Sequence, residues 1–230
     1  MAVACTVFEV AEEVSPGESA RRLRSYRVSL GDLEFLDMRV ELGVAIRDVV
    51  ETPEGVSGVF EEVLPVSIEV DTVSARIPVR VRNSFRLAWV RRACYALVFA
   101  KRRRALRVAD SLSHALFGEG GRLQAMYIPP EKLRRLCSRE GVKVRQVVLK
   151  SYGEGLKTAV LYGVDLQLQE LRKRFAESRE VYVVYEDDVG VFGVGSAGYV
   201  VTFSMLTEKE LEEYIADKII PLLEPPAPSQ

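Results

Sequence analysis

The sequence predicts an α+β protein of mainly antiparallel sheets, with helices packed on one face and a three-stranded C-terminal meander followed by a long helix. Three observations lead there. β-Branched and aromatic runs with period-two alternation come in clusters, whereas a parallel doubly wound sheet would alternate them with helices. Helical patterns carry one apolar arc each. The 230 residues are 48% apolar and 28% charged, ordinary proportions for a chain that buries a core.

Residues 3–10 read as a strand. Val14-Ser15-Pro16-Gly17 reads as a turn, with a short helix over 18–24. Residues 33–50 alternate loosely up to the turn Thr52-Pro53-Glu54-Gly55. Residues 66–70 and 77–81 resemble two strands joined through 71–75. In the second, Arg76, Pro78, Arg80 and Arg82 alternate with Ile77, Val79 and Val81, so arginines share one face; Pro78 cannot donate to a ladder and marks an edge. A buried strand over 95–100 runs into a helix over 102–117 that stops at Gly118. Its apolar arc holds Ala105, Leu106, Val108, Ala109, Leu112, Ala115 and Leu116. The run Gly118-Glu119-Gly120-Gly121 has neither phosphate-loop spacing and reads as a connector.

Next come a strand over 123–128, a helix over 130–137 opened by Pro130, a strand over 142–149, a polar loop over 150–155 and a short run over 158–162. Val164, Leu168, Leu171 and Phe175 predict a helix over 165–177. Strands over 181–185, 189–194 and 199–204 form the meander. Thr207-Glu208-Lys209-Glu210 is a capping box opening a helix striped by Leu211, Ile215, Ile219 and Leu222. Residues 1–83 are expected as a strand-rich N-terminal region and 84–224 as an α+β region continuing the same fold. The proline-rich tail 225–230 is expected to be disordered.

Charge is segregated along the chain. Residues 1–71 carry 6 basic and 15 acidic side chains, residues 72–175 carry 23 and 7, and residues 176–230 carry 3 and 11. From Arg76 to Arg107 there are eleven cations and no acid. Such a run demands compensation, either from the acidic ends folding back or from an external polyanion. Lys101-Arg102-Arg103-Arg104 sits in a helical first turn, where the macrodipole disfavours cations and exposed N–H groups suit an anion.

Catalytic chemistry finds little support. His114 is the sole histidine and falls on the polar face of its helix. Glu186-Asp187-Asp188 sits at a hairpin tip, where Asp favours turns for backbone reasons. Neither a cofactor nor a metal is expected. The widely spaced Cys5, Cys94 and Cys137 read as reduced, mostly buried thiols. No apolar run reaches the roughly 18 residues of a membrane span, and the first residues do not read as a leader, so a cytoplasmic protein is expected. Asparagine is scarce against many charges, which suits a thermophile.

These readings point to a non-enzymatic nucleic-acid-binding protein, DNA or RNA. The contacts expected are Arg80, Arg82, Arg86, Arg91, Arg92, Lys101, Arg102, Arg103, Arg104 and Arg107, with Trp89 interleaved for base stacking. Two alternatives stay open. One is a scaffold or assembly subunit whose acidic and basic regions pair with a protein partner or in self-association. The other is an enzyme whose site is dispersed in sequence.

Overall fold

The computed structural model describes residues 3–71, 73–90, 93–151, 157–175 and 178–222. The expected tail at 225–230 lies outside them. The chain is mixed α and β with antiparallel strand pairs, and it divides into two compact units, Glu9–Gln124 and Met1–Phe8 with Ala125–Gln230. The first unit boundary, between Phe8 and Glu9, falls inside β1 (Val3–Val10). No helix among the described residues is long and apolar enough to cross a membrane.

In the unit Glu9–Gln124, α1 (Pro16–Ser25) begins where the Ser15 hydroxyl accepts the Glu18 N–H at 3.3 Å and Pro16 fills a first-turn position. Five strands follow: β2 (Arg27–Phe35), β3 (Met38–Thr52), β4 (Gly55–Val70), β5 (Val73–Val90) and β6 (Ala93–Val98). Each pairs antiparallel with the next. The expected single stretch over 33–50 is broken by a tight hairpin at Leu36 and Asp37, both at positive φ (49° and 59°). A two-residue loop needs that left-handed backbone, and neither residue advertises it as Asn-Gly would. The short strands expected over 66–70 and 77–81 are segments of the much longer β4 and β5.

Pro78 lies directly across from Pro65, and β6 reaches only Phe85–Val90, so among the described residues β5 has no second strand partner at Pro78. Two prolines facing each other forgo ladder donors at one place, which an interior strand could not tolerate.

α2 (Arg102–Phe117) spans the residues its periodicity predicts and ends at left-handed Gly118. One face differs from expectation. Leu106 is exposed, and Ser113 is buried in its stead. The Ser113 hydroxyl donates to the Glu119 carbonyl and accepts the Arg122 N–H, tying down the glycine-rich turn. Phe60, Phe85, Leu87, Leu97, Leu112 and Leu116 anchor this unit's core.

β7 (Leu123–Ala125) is shorter than expected, and α3 (Pro130–Cys137) keeps its expected bounds. In the other unit β8 (Lys143–Ser151), β9 (Thr158–Tyr162), β10 (Ser178–Glu186), β11 (Val191–Gly195) and β12 (Tyr199–Thr202) pair in the order β1-β12-β11-β10-β8-β9. α4 (Leu168–Arg174) starts later than the expected residue 165. Gly163 and Leu166 donate their N–H groups to the Arg145 and Val144 carbonyls of β8, which holds the preceding segment extended and leaves Val164 exposed. Most of the loop expected over 150–155 lies outside the described residues.

α5 (Glu208–Tyr214) opens with the capping box, then passes into a π turn (Ile215–Ile219) and a 3-10 turn (Ile220–Leu222). Leu211, Ile215, Ile219 and Leu222 stay buried through those changes of pitch. Beneath it, Tyr185 and Tyr214 share a hydrogen bond at 2.7 Å, and Tyr214 donates to Asp187 at 2.7 Å. Asp187 also accepts the Val189 and Gly190 N–H groups, the backbone role its turn position implies.

Glu210 accepts both the N–H and the hydroxyl of Thr207, which holds its carboxyl below the ordinary 4.5. A carboxyl lowered by folding contributes stability above about pH 4.5 that is lost as pH falls through the folded value. Chemical denaturation should therefore find Glu210→Gln less stable than the parent at neutral pH, with the two curves converging near about pH 3.

Candidate nucleic-acid interface

Glu61 and Glu62 are consecutive on β4, so their carboxylates leave the strand on opposite faces. Both are nearly enclosed, at 7% and 4% exposure. A buried carboxylate is costly unless paired, and arginines meet each one.

On the first face Arg82 stands directly across from Glu61 in the β4–β5 register. Its Nε donates to Glu61 Oε2 at 2.7 Å. Arg80 Nε lies 3.8 Å from the same oxygen, and Arg47 Nε of β3 lies 3.9 Å from Oε1. On the second face Arg104 and Arg107 of α2 both bind Glu62, Arg107 at 2.6 Å. Arg104 also donates to the Asn83 side chain at 2.9 Å and lies over the Phe60 ring, 5.6 Å from its centroid.

The expected contact residues are thus divided between two faces. Arg80 and Arg82 share the Glu61 face. Arg104 and Arg107 are held on the Glu62 face. Lys101, Arg102 and Arg103 are exposed at the start of α2, which has no side-chain cap; among the described residues no carboxylate lies within 4 Å of them. Arg86 pairs with Glu54 at 3.4 Å. Arg91 and Arg92 lie outside the described residues. The Trp89 indole donates to the Val14 carbonyl at 3.0 Å, and the ring lines a cavity of about 660 Å³ together with Glu9, Glu12 and Glu13. Acidic walls are a poor setting for stacking a base of a polyanion.

The Glu61 face has a shape the sequence did not announce. β2 and β5 are first and fourth in strand order, yet their Cα atoms come within 8 Å, so the sheet is strongly curled. A trough of about 330 Å³ opens along it, lined among others by Arg27, Arg39, Arg47, Arg80, Glu41 and Glu61. Arg27 binds Glu41 and Arg39 binds Asp32, so these two are neutralised locally. Among the described residues Glu61 alone serves Arg47, Arg80 and Arg82, leaving two positive charges in surplus there. Arg39, Glu41, Gly43, Ala45 and Arg47 alternate with period two, a usable signal for one shared face, but they fall within the acidic third of the chain.

The compensation is internal to each unit. Glu9–Gln124 contains 18 basic and 17 acidic side chains, and the remainder contains 14 and 16. In the latter, Arg145 binds Glu186 and Arg134 lies 3.9 Å from Glu180. No protein-family model and no curated protein matches the chain. Its function therefore has to be read from the site.

Glu62→Ala leaves the largely buried Arg104 with only a neutral amide and a ring. It should destabilise the fold by about 3 kcal/mol in urea titration. Glu54→Ala, at an exposed partner of Arg86, should cost under about 0.5 kcal/mol.

Proposed function

We propose that this chain is a non-enzymatic nucleic-acid-binding protein whose phosphate contacts come from Arg47 and Arg80 in the trough of the β2–β5 sheet, with Arg82 beside them on the Glu61 face. One observation carries the reading: a single enclosed carboxylate, Glu61, faces three guanidinium groups on an open, curled surface. Guanidinium forks match phosphate oxygens, and strands hold them at fixed spacing. Of the longer run Arg76–Arg107, Arg104 and Arg107 are engaged by Glu62 and serve the fold. Lys101, Arg102 and Arg103 offer a second, separate cationic surface.

A second reading, an assembly subunit, is favoured by a different observation. Beyond Val63, β4 pairs only with β5 among the described residues, and one face of that ribbon is an apolar stripe of Leu64, Val66, Ile68, Ile77, Val79 and Val81. Val66 and Ile68 are 42% and 40% exposed, more than a solvated two-stranded ribbon tolerates well. Sedimentation that stays monomeric at all salt concentrations would sink this reading.

The proposal includes a cytoplasmic, heat-adapted setting. Cys5, Cys94 and Cys137 are buried, and burial pushes the Cys94 and Cys137 thiols up to about 12, which keeps those two unreactive. Arginine clusters around Glu61 and Glu62 are the kind of ion-pair network that gains worth with temperature. Scanning calorimetry should give a melting midpoint well above the mesophilic range of about 45–65 °C; a midpoint near about 50 °C would rule the setting out.

The functional test is fluorescence anisotropy with labelled single-stranded DNA, duplex DNA and RNA from low to high salt. Binding should weaken steeply with salt, and Arg80→Ala should lower affinity and make the salt slope shallower by about one unit. The double variant Arg102→Ala, Arg103→Ala should leave the slope nearly unchanged. The reverse pattern would move the interface to the start of α2, and absence of binding at low salt would end the proposal.

A further inference from the structure

The trough contains a feature that a general phosphate-binding surface has no use for. Glu61 is placed among the very arginines that would meet phosphates, where a carboxylate repels them. Its two oxygens are not equivalent. Oε2 accepts from Arg82 at 2.7 Å and has Arg80 at 3.8 Å. Oε1 accepts no hydrogen bond from the described residues, Arg47 Nε lies 3.9 Å from it, and Glu61 lines the trough. One acceptor position is thus open, flanked by guanidinium groups.

A ligand group seated there must be a hydrogen-bond donor and uncharged. Along a nucleic-acid backbone the phosphates and the ring oxygen only accept, and the one donor is the ribose 2′-hydroxyl. Its neighbours along the strand are phosphates, which is what the flanking arginines suit. We infer that the trough is selective for single-stranded RNA over DNA, with Glu61 Oε1 accepting the 2′-hydroxyl of a ribose whose adjacent phosphates meet Arg47 and Arg80. The inference rests on the nucleic-acid reading above and adds to it the class of sugar and the residue that selects it.

The test compares labelled oligouridylate, its deoxy counterpart and its 2′-O-methyl counterpart by anisotropy at one salt concentration. The parent protein should bind the ribo strand about tenfold more tightly than the other two, the worth of one hydrogen bond to a charged acceptor. In Glu61→Gln the ratio should fall towards about one while deoxy binding holds or strengthens, because a negative charge has left the trough. A structural role alone would weaken all three strands together.

Equal affinity of the parent for the three strands overturns the inference and leaves the nucleic-acid reading intact. So does a preference for oligocytidylate over oligouridylate that ignores the sugar, because the carboxylate would then be reading a base amine. Binding of none of the strands ends both. The parent comparison alone decides the inference if the variant does not fold.

Discussion

Two adjacent carboxylates on β4 set the electrostatics of the unit Glu9–Gln124, and the placement of its arginines follows from them. A strand sends consecutive side chains to opposite faces, so Glu61 and Glu62 cannot share partners. Each is enclosed and therefore has to be met by cations on its own side. This constrains the neighbours. β3 supplies Arg47 and β5 supplies Arg80 and Arg82 on one face, while α2 sets Arg104 and Arg107 on the other. The sole asparagine of the chain, Asn83, sits across from Phe60 on β5 and accepts from Arg104, so even the polar neutral residue on that face is committed to seating one guanidinium.

The two faces differ in what the pairing leaves over. On the Glu62 side two arginines surround one carboxylate, and Arg104 is further held by Asn83 and the Phe60 ring, which is the arrangement of a structural contact. On the Glu61 side three arginines share one carboxylate, only Arg82 lies within hydrogen-bond distance, and the surface is open. The same residue pair thus anchors a helix on one side of the sheet and leaves cations available on the other.

What could be read in advance follows from how local each signal is. The bounds of α2 were legible because Gly118 marks its stop, and the capping box because Thr207 and Glu210 satisfy each other within one turn. The β2–β3 hairpin was not, since Leu36 takes a left-handed backbone that its type rarely adopts and no glycine marks the turn. The start of α4 was not, because β8 carbonyls claim Gly163 and Leu166, and no helical periodicity encodes that. In the site, period-two alternation placed Arg80 and Arg82 together. Arg47 lies in the acidic third of the chain, and nothing local in Glu61-Glu62 marks a pair that the fold encloses.

Charge blocks along a chain are a poor guide to charge on a surface, and here the difference is decisive. The acidic first third supplies Glu54, Glu61 and Glu62 to the arginines that follow, so Glu9–Gln124 is close to neutral overall despite its eleven-cation run. A nearly neutral unit casts little long-range field, and at physiological salt what remains is screened within about 8 Å. A protein of high net positive charge attracts nucleic acid from a distance and holds it indiscriminately. Under the proposed reading, a strand would have to enter the trough before the surplus among Arg47, Arg80 and Arg82 is felt. At that range geometry and hydrogen bonding would matter more than total charge, and Glu61, among the arginines, would bear on which strand the proposed interface keeps.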